Sequence, residues 1–97
     1  MNKVMVSFDI KGIKAQQYDR AMSDLSAQNA LQDSGLICHT ACVTSYGLKV
    51  IDVWESEEKF KKFTDTLMPI LQKQGFPRTE PIIYPVHNFV LTHVYAS

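Results

Sequence analysis

Along residues 3–9, KVMVSFD, apolar Val4, Val6 and Phe8 are set against Lys3, Met5, Ser7 and Asp9. That two-residue period predicts a strand, which Gly12 ends. From Lys14 to Asn29 the period changes. Ala15, Tyr18, Ala21, Met22 and Leu25 recur at spacings of three and four, placing them on one face of a helix whose first position, Lys14, is a poor cap. After the turn signal DSG at 33–35, the runs LICHTACV and LKVIDVW flank the polar connection TSYG and predict a β-hairpin. Helical spacing returns in ESEEKFKKFTDTLMPILQKQG, with Phe60, Phe63, Leu67, Ile70 and Leu71 on one face. Ser56 is the expected N-cap, Glu57 and Glu58 suit the positive end of the helix dipole, and Gly75 follows the end. Pro69 inside this pattern predicts a kink or restart. FPRTEP is expected to run extended over the surface, and YPVHNFVLTHVY at 84–95 reads as a last strand that Pro85 confines to an edge or a bulge.

The order β, α, β, β, α, β predicts a single α+β domain over residues 1–97, a ferredoxin-like split βαβ. Its four-stranded antiparallel sheet has strand order 4-1-3-2 and both helices on one face. The strands are apolar on both alternations: Val4, Val6 and Phe8 oppose Met5, and Leu36 and Cys38 oppose Ile37 and Ala41. A sheet greasy on both sides but helix-covered on one needs a second cover, and a second copy of the chain is the simplest. A homodimer is therefore expected.

Composition narrows the function classes. Ten basic and ten acidic side chains give no formal net charge, which leaves little counterion-release drive for nucleic-acid binding. The N-terminal apolar run is too short for a signal-peptide core and no window approaches a membrane span, so a cytoplasmic location is expected. Cys38 and Cys42, four apart on one strand, would have α-carbons roughly 13 Å apart, beyond disulfide reach. They are expected to be buried thiols.

The stretch VIDVWESEEKFKKF at 50–63, a strand ending in Trp followed by a Ser cap, an acidic first turn and paired phenylalanines, resembles the dimeric α+β barrel superfamily, as do PVHN at 85–88 and the element order. The resemblance is to its antibiotic-biosynthesis-monooxygenase-like branch and spans nearly the whole chain. It implies a dimeric α+β barrel and cofactor-free oxygenation, with no metal, flavin or haem. Haem degraders of the superfamily are similar to one another in an Asn on the first strand and a Trp and a His along the second helix. Here that helix offers Phe60 and Phe63 and no histidine.

Where could chemistry sit? If Val43 lies opposite Leu48, pairing runs Ala41 with Val50, His39 with Asp52 and Ile37 with Trp54, all on one face. Directly opposed side chains lie about 4.5–5.5 Å apart, so His39 and Asp52 can bond, and a carboxylate that fixes an imidazole's tautomer prepares it as a general base. The alternative is a polar pair that satisfies itself beneath a dimer contact. Alternation places His87, Phe89, Leu91, His93 and Tyr95 on one side of the last strand. Strands two and four are three spacings apart, about 14 Å, so the three histidines do not make a metal site within one subunit. His87 and Asn88 are candidates to orient a carbonyl or hydroxyl, with Trp54, Phe60, Phe63 and Phe89 as apolar walls; His93 is expected to decorate the surface. The reading is a homodimer that encloses a small, largely apolar or aromatic molecule and abstracts a proton from it, with His39 as base and Asp52 as its partner. The other possibility is a non-catalytic homodimer that binds a metabolite or fills a structural role.

Overall fold

A computed structural model describes residues 2–92. The elements follow in the expected order: β1 (Val4–Lys11), α1 (Ala15–Ala27), β2 (Leu36–Val43), β3 (Gly47–Trp54), α2 (Glu57–Lys73) and β4 (Ile82–Pro85). The sheet is antiparallel in β1–β3, β1–β4 and β2–β3, with order β2-β3-β1-β4, the 4-1-3-2 arrangement read from its other edge.

Val4, Val6, Val50 and Trp54 turn to the helices and are buried. Phe60, Phe63 and Ile70 of α2 and Ala21 and Leu25 of α1 join Val4, Val6 and Trp54 in one core. α1 starts at Lys14, whose side chain cannot accept a hydrogen bond; the Gln17 side chain compensates by accepting from the Lys14 backbone N–H at 3.0 Å. Ser56 caps α2 by accepting from the Lys59 N–H at 3.1 Å. The helices are tied at their ends, Gln74 Nε2 donating to Asp24 Oδ2 at 3.0 Å and Gln17 Nε2 to the Gln74 carbonyl at 3.1 Å. α2 runs unbroken through Pro69, so the expected restart is absent. A proline costs a helix one N–H and crowds the preceding turn, and the packing of Phe60, Phe63 and Ile70 on either side holds that turn helical.

Three expectations are corrected. Leu36, not Ile37, stands opposite Trp54, because the β2–β3 ladder shifts between Leu36 and Cys38. Ile37 is the extra residue of a bulge, so Leu36 and His39 share a face although they are an odd number of positions, three, apart. The last strand is only four residues long. In the antiparallel ladder Pro85 faces Val4, where β1 begins, and one further bond runs from the Val86 N–H to the Lys3 carbonyl at 2.9 Å. Beyond that point β4 has no partner strand among the described residues, so the alternation expected for His87, Phe89 and Leu91 does not form. The expectations for His93 and Tyr95 lie outside the described residues. Third, the cysteines are not buried: Cys38 is half-buried and Cys42 exposed, since both sit on the sheet face that the helices leave open.

That open face carries Met5 and Ser7 on β1, Ile51 and Val53 on β3, and Ile82 and Tyr84 on β4. Ile82 and Tyr84 are 49% and 52% exposed. No helix among the described residues is long and apolar enough to cross a membrane.

Candidate functional site

On the covered face, β3 places Asp52 and Trp54 two residues apart, so strand alternation turns both toward the helices. β2 sets His39 directly across from Asp52. His39 Nδ1 lies 2.5 Å from Asp52 Oδ1, and Trp54 Nε1–H points to Asp52 Oδ2 at 3.4 Å. One turn into α1, Tyr18 extends its hydroxyl to His39 Nε2 at 2.5 Å. The three side chains form one line: carboxylate, imidazole, phenol.

The hydrogen-bond directions follow from what each group can do. A carboxylate accepts, so Nδ1–H of His39 donates to Asp52. Nε2 is then left with its lone pair, to which the Tyr18 hydroxyl donates. Asp52 is 7% exposed, an expensive place for a carboxylate, and the donors on its two oxygens offset that cost. No buried side-chain nitrogen or oxygen among the described residues lacks a partner. Burial, followed by the negative charges of Asp52 and Asp19, pushes the Tyr18 phenol above its ordinary value of 10.0, so the hydroxyl keeps its proton.

Tyr18, His39 and Asp52 line a cavity of about 710 Å³ between the sheet and the two helices. That volume lies in the range of small-molecule sites, about 300–1,000 Å³. Its walls are mainly apolar. Trp54, 1% exposed, meets Phe60 at a centroid distance of 5.6 Å in an edge-on contact and Phe63 at 5.1 Å; Phe8 joins Phe60 at 6.1 Å. The cavity extends to the irregular segment 76–81, where Arg78, Thr79 and Glu80 border it.

The predicted site residues therefore divide. His39, Asp52, Trp54, Phe60 and Phe63 converge on one cavity, whereas His87, Asn88 and Phe89 border a separate depression of about 230 Å³ with Asn2 and Lys3. Within one chain they do not reach His39, because the chain leaves the sheet after Val86. Among the described residues no group of three or more His, Cys, Asp or Glu side chains could hold a metal ion. Tyr18 escaped the sequence reading, which counted it only as an apolar position of α1. The signal was present: a phenol on an inward helix face must find a polar partner, and on the facing strands His39 and Asp52 are the ones available. The part that segment 76–81 plays in the cavity had no such signal, since a proline-flanked irregular stretch has no period from which to read a facing side.

No protein-family model matches the sequence, and no curated protein matches it. Solved structures do share its fold. SnoaB, a cofactor-independent oxygenase from Streptomyces nogalater, superposes in a single-substitution mutant form with a TM-score of 0.62 at 14% identity, covering 92% of this chain and 95% of that one. The monooxygenase ActVA-Orf6 of Streptomyces coelicolor, solved with nanaomycin D, gives 0.58 at 14% identity over 95% and 93% of the two chains. A dimeric ferredoxin-like protein of unknown function from Thermobifida fusca gives 0.61 at 11% identity over 88% and 92%. At these identities the likeness is one of fold alone: the chain has the ferredoxin-like α+β fold that these proteins share.

Proposed function

We propose that this protein is a homodimer that binds a small, largely apolar or aromatic molecule in the cavity beneath its helices and oxygenates it without a cofactor, beginning with proton abstraction. The observation that carries the proposal is the Asp52–His39–Tyr18 line ending in an aromatic-walled cavity. Asp52 orients His39 and stabilises the imidazolium that forms when His39 takes a proton. Cofactor-independent oxygenation by a protein of the same fold supports the reaction class. The half-exposed Ile82 and Tyr84 on the open sheet face, and the same fold in a dimeric protein, support the homodimer.

The chemistry balances with oxygen alone. A substrate with an acidic methylene flanked by aromatic rings loses one proton to the His39 system and becomes an electron-rich anion. The anion passes one electron to O2, and radical and superoxide combine into a peroxide anion that takes up a proton. Loss of water with the second methylene proton leaves a carbonyl. The methylene carbon gives up four electrons, O2 accepts four, one oxygen atom stays in the product and the other leaves as water.

A second reading, a non-catalytic binding or structural homodimer, draws on a specific observation: Nε2 of His39, the atom a base must offer, is already bonded to Tyr18. Oxygen uptake with a panel of quinols and anthrone-type phenols separates the two. The proposal expects uptake that depends on the protein and falls by at least about a hundredfold in His39→Ala, the scale of lost general base catalysis. Equal rates for wild type, variant and buffer would leave the binding reading in place.

A further inference from the structure

Resting on that function, we infer that Tyr18 is the residue that meets the substrate, and that the proton reaches His39 through the Tyr18 hydroxyl rather than directly. Nε2 is the basic lone pair of His39, and the Tyr18 oxygen stands on it at 2.5 Å. All three side chains line the cavity, but the Nε2 lone pair is taken up by the Tyr18 hydroxyl, so the free lone pair on that line that a substrate can reach is the one on the Tyr18 oxygen. The phenol keeps one lone pair free while its proton lies along the bond to Nε2. It can therefore accept a proton from the substrate while handing its own to His39.

Each atom is accounted for. The substrate C–H or O–H bond breaks, a new O–H bond forms on Tyr18, the former Tyr18 proton bonds to Nε2, and the Nδ1 proton stays in the bond to Asp52. The products are a substrate anion, a neutral tyrosine, an imidazolium and an unchanged carboxylate, with the same total charge as before. The reverse transfer returns the proton when the peroxide forms.

Three further observations favour transfer through Tyr18 over a tyrosine that swings aside. Tyr18 is set on the inward face of α1, between Lys14 at the helix start and the buried Ala21 and Leu25. α1 is fastened to the end of α2 through Gln17, the immediate neighbour of Tyr18. The phenol lines the cavity as it stands, so no movement is needed for contact.

The test uses the whole chain and two readouts. The first needs no ligand: ring ¹⁵N NMR of His39 in wild type and Tyr18→Phe. The Nε2 signal is expected to move when its donor is removed, and an unmoved signal overturns the relay. The second follows proton abstraction without oxygen, as exchange of the methylene hydrogens of 1,8-dihydroxyanthrone into D2O under argon. Wild type is expected to accelerate exchange, and Tyr18→Phe to lose about tenfold to a hundredfold in kcat with KM within about twofold. The rate should show a solvent isotope effect in wild type, because the Tyr18 hydroxyl proton is solvent-derived and moves in the step, and lose most of it in the variant, where only the carbon-bound proton of the substrate moves. An equal or faster kcat for Tyr18→Phe would mean that the phenol merely covers the base, and the relay is overturned even if oxygen uptake stands. Exchange by wild type with no oxygen uptake would instead sink the oxygenase reading and leave the relay standing. No exchange by wild type sinks both.

Discussion

His39 keeps its place opposite Asp52 although a bulge displaces the ladder only two residues earlier, where Leu36 has moved opposite Trp54. The displacement affects the far side of the bulge alone, because the turn at 44–47 fixes the near side. Gly47 makes this turn possible: its φ is 153° and an added Cβ would run into the Ile10 carbonyl oxygen. The 39/52 pairing is thus set from the turn outward.

Asp52→Asn tests what that pairing supplies. An amide has one acceptor atom where the carboxylate has two, and here both oxygens face donors, His39 Nδ1 and Trp54 Nε1. One buried donor would face an NH2 group. Stability is expected to fall by about 1–3 kcal/mol, the cost of an unsatisfied buried polar group, and oxygen uptake by at least about a hundredfold as the imidazole loses its orientation. Denaturant titration beside the oxygen assay checks both; a variant as stable and active as wild type would show that the carboxylate is incidental.

A pH effect follows from Tyr18. Its folded form holds the phenolic proton above the ordinary 10.0 because of burial and then the nearby charges of Asp52 and Asp19. Above that pH the unfolded chain releases a proton that the folded chain keeps, so fewer protons are bound in the unfolded state and stability falls as pH rises. The contribution is whole below about pH 10 and is lost as pH climbs toward the raised folded value. Tyr18→Phe lacks this slope. Unfolding curves at intervals from about pH 9 to pH 11 should show wild type losing stability more steeply than the variant above about pH 10; parallel curves would contradict the raised value.

The sequence makes the fold legible because each element has its own period: two in β1–β3, between three and four in α1 and α2. His39 and Asp52 could be paired by counting outward from TSYG, since strand partners separate symmetrically about a turn. The count fails at Ile37 because a bulge obeys packing, not alternation: Leu36 reaches the core and the chain takes up the surplus residue. It fails again after Val86, where the composition still favours a strand but β1 offers no further edge to pair with. Tyr18 was hidden for another reason. Its ring fits an apolar helix face, and only the tertiary contact reveals that its hydroxyl ends on an imidazole.

Phe60→Ala probes the cavity wall. Phe60 is 3% exposed and touches both Phe8 and Trp54, so its removal leaves a void the backbone cannot readily close. A loss of about 3–5 kcal/mol is expected, a large fraction of the roughly 5–15 kcal/mol that holds a domain together. Melting by circular dichroism reads it, and a shift of only a degree or two would mean that the aromatic cluster contributes little to the core.

The homodimer has its own test on the open sheet face. Tyr84 points away from the helices beside Met5 and is 52% exposed, and Ile82 next along that face is 49% exposed. Tyr84→Glu places a charge there without disturbing the core, and exposed substitutions of this kind usually change a chain's own stability by no more than about 0.5 kcal/mol. If a second copy covers this face, the carboxylate must be desolvated on association among Met5, Ile51, Val53 and Ile82, with the Ser7 hydroxyl but no cation among the residues named for this face, and the dimer is lost. Sedimentation velocity is expected to give a dimer for wild type at micromolar concentration and a folded monomer for the variant. A wild-type monomer, or a variant that still dimerises, would remove this face as the place where two chains meet.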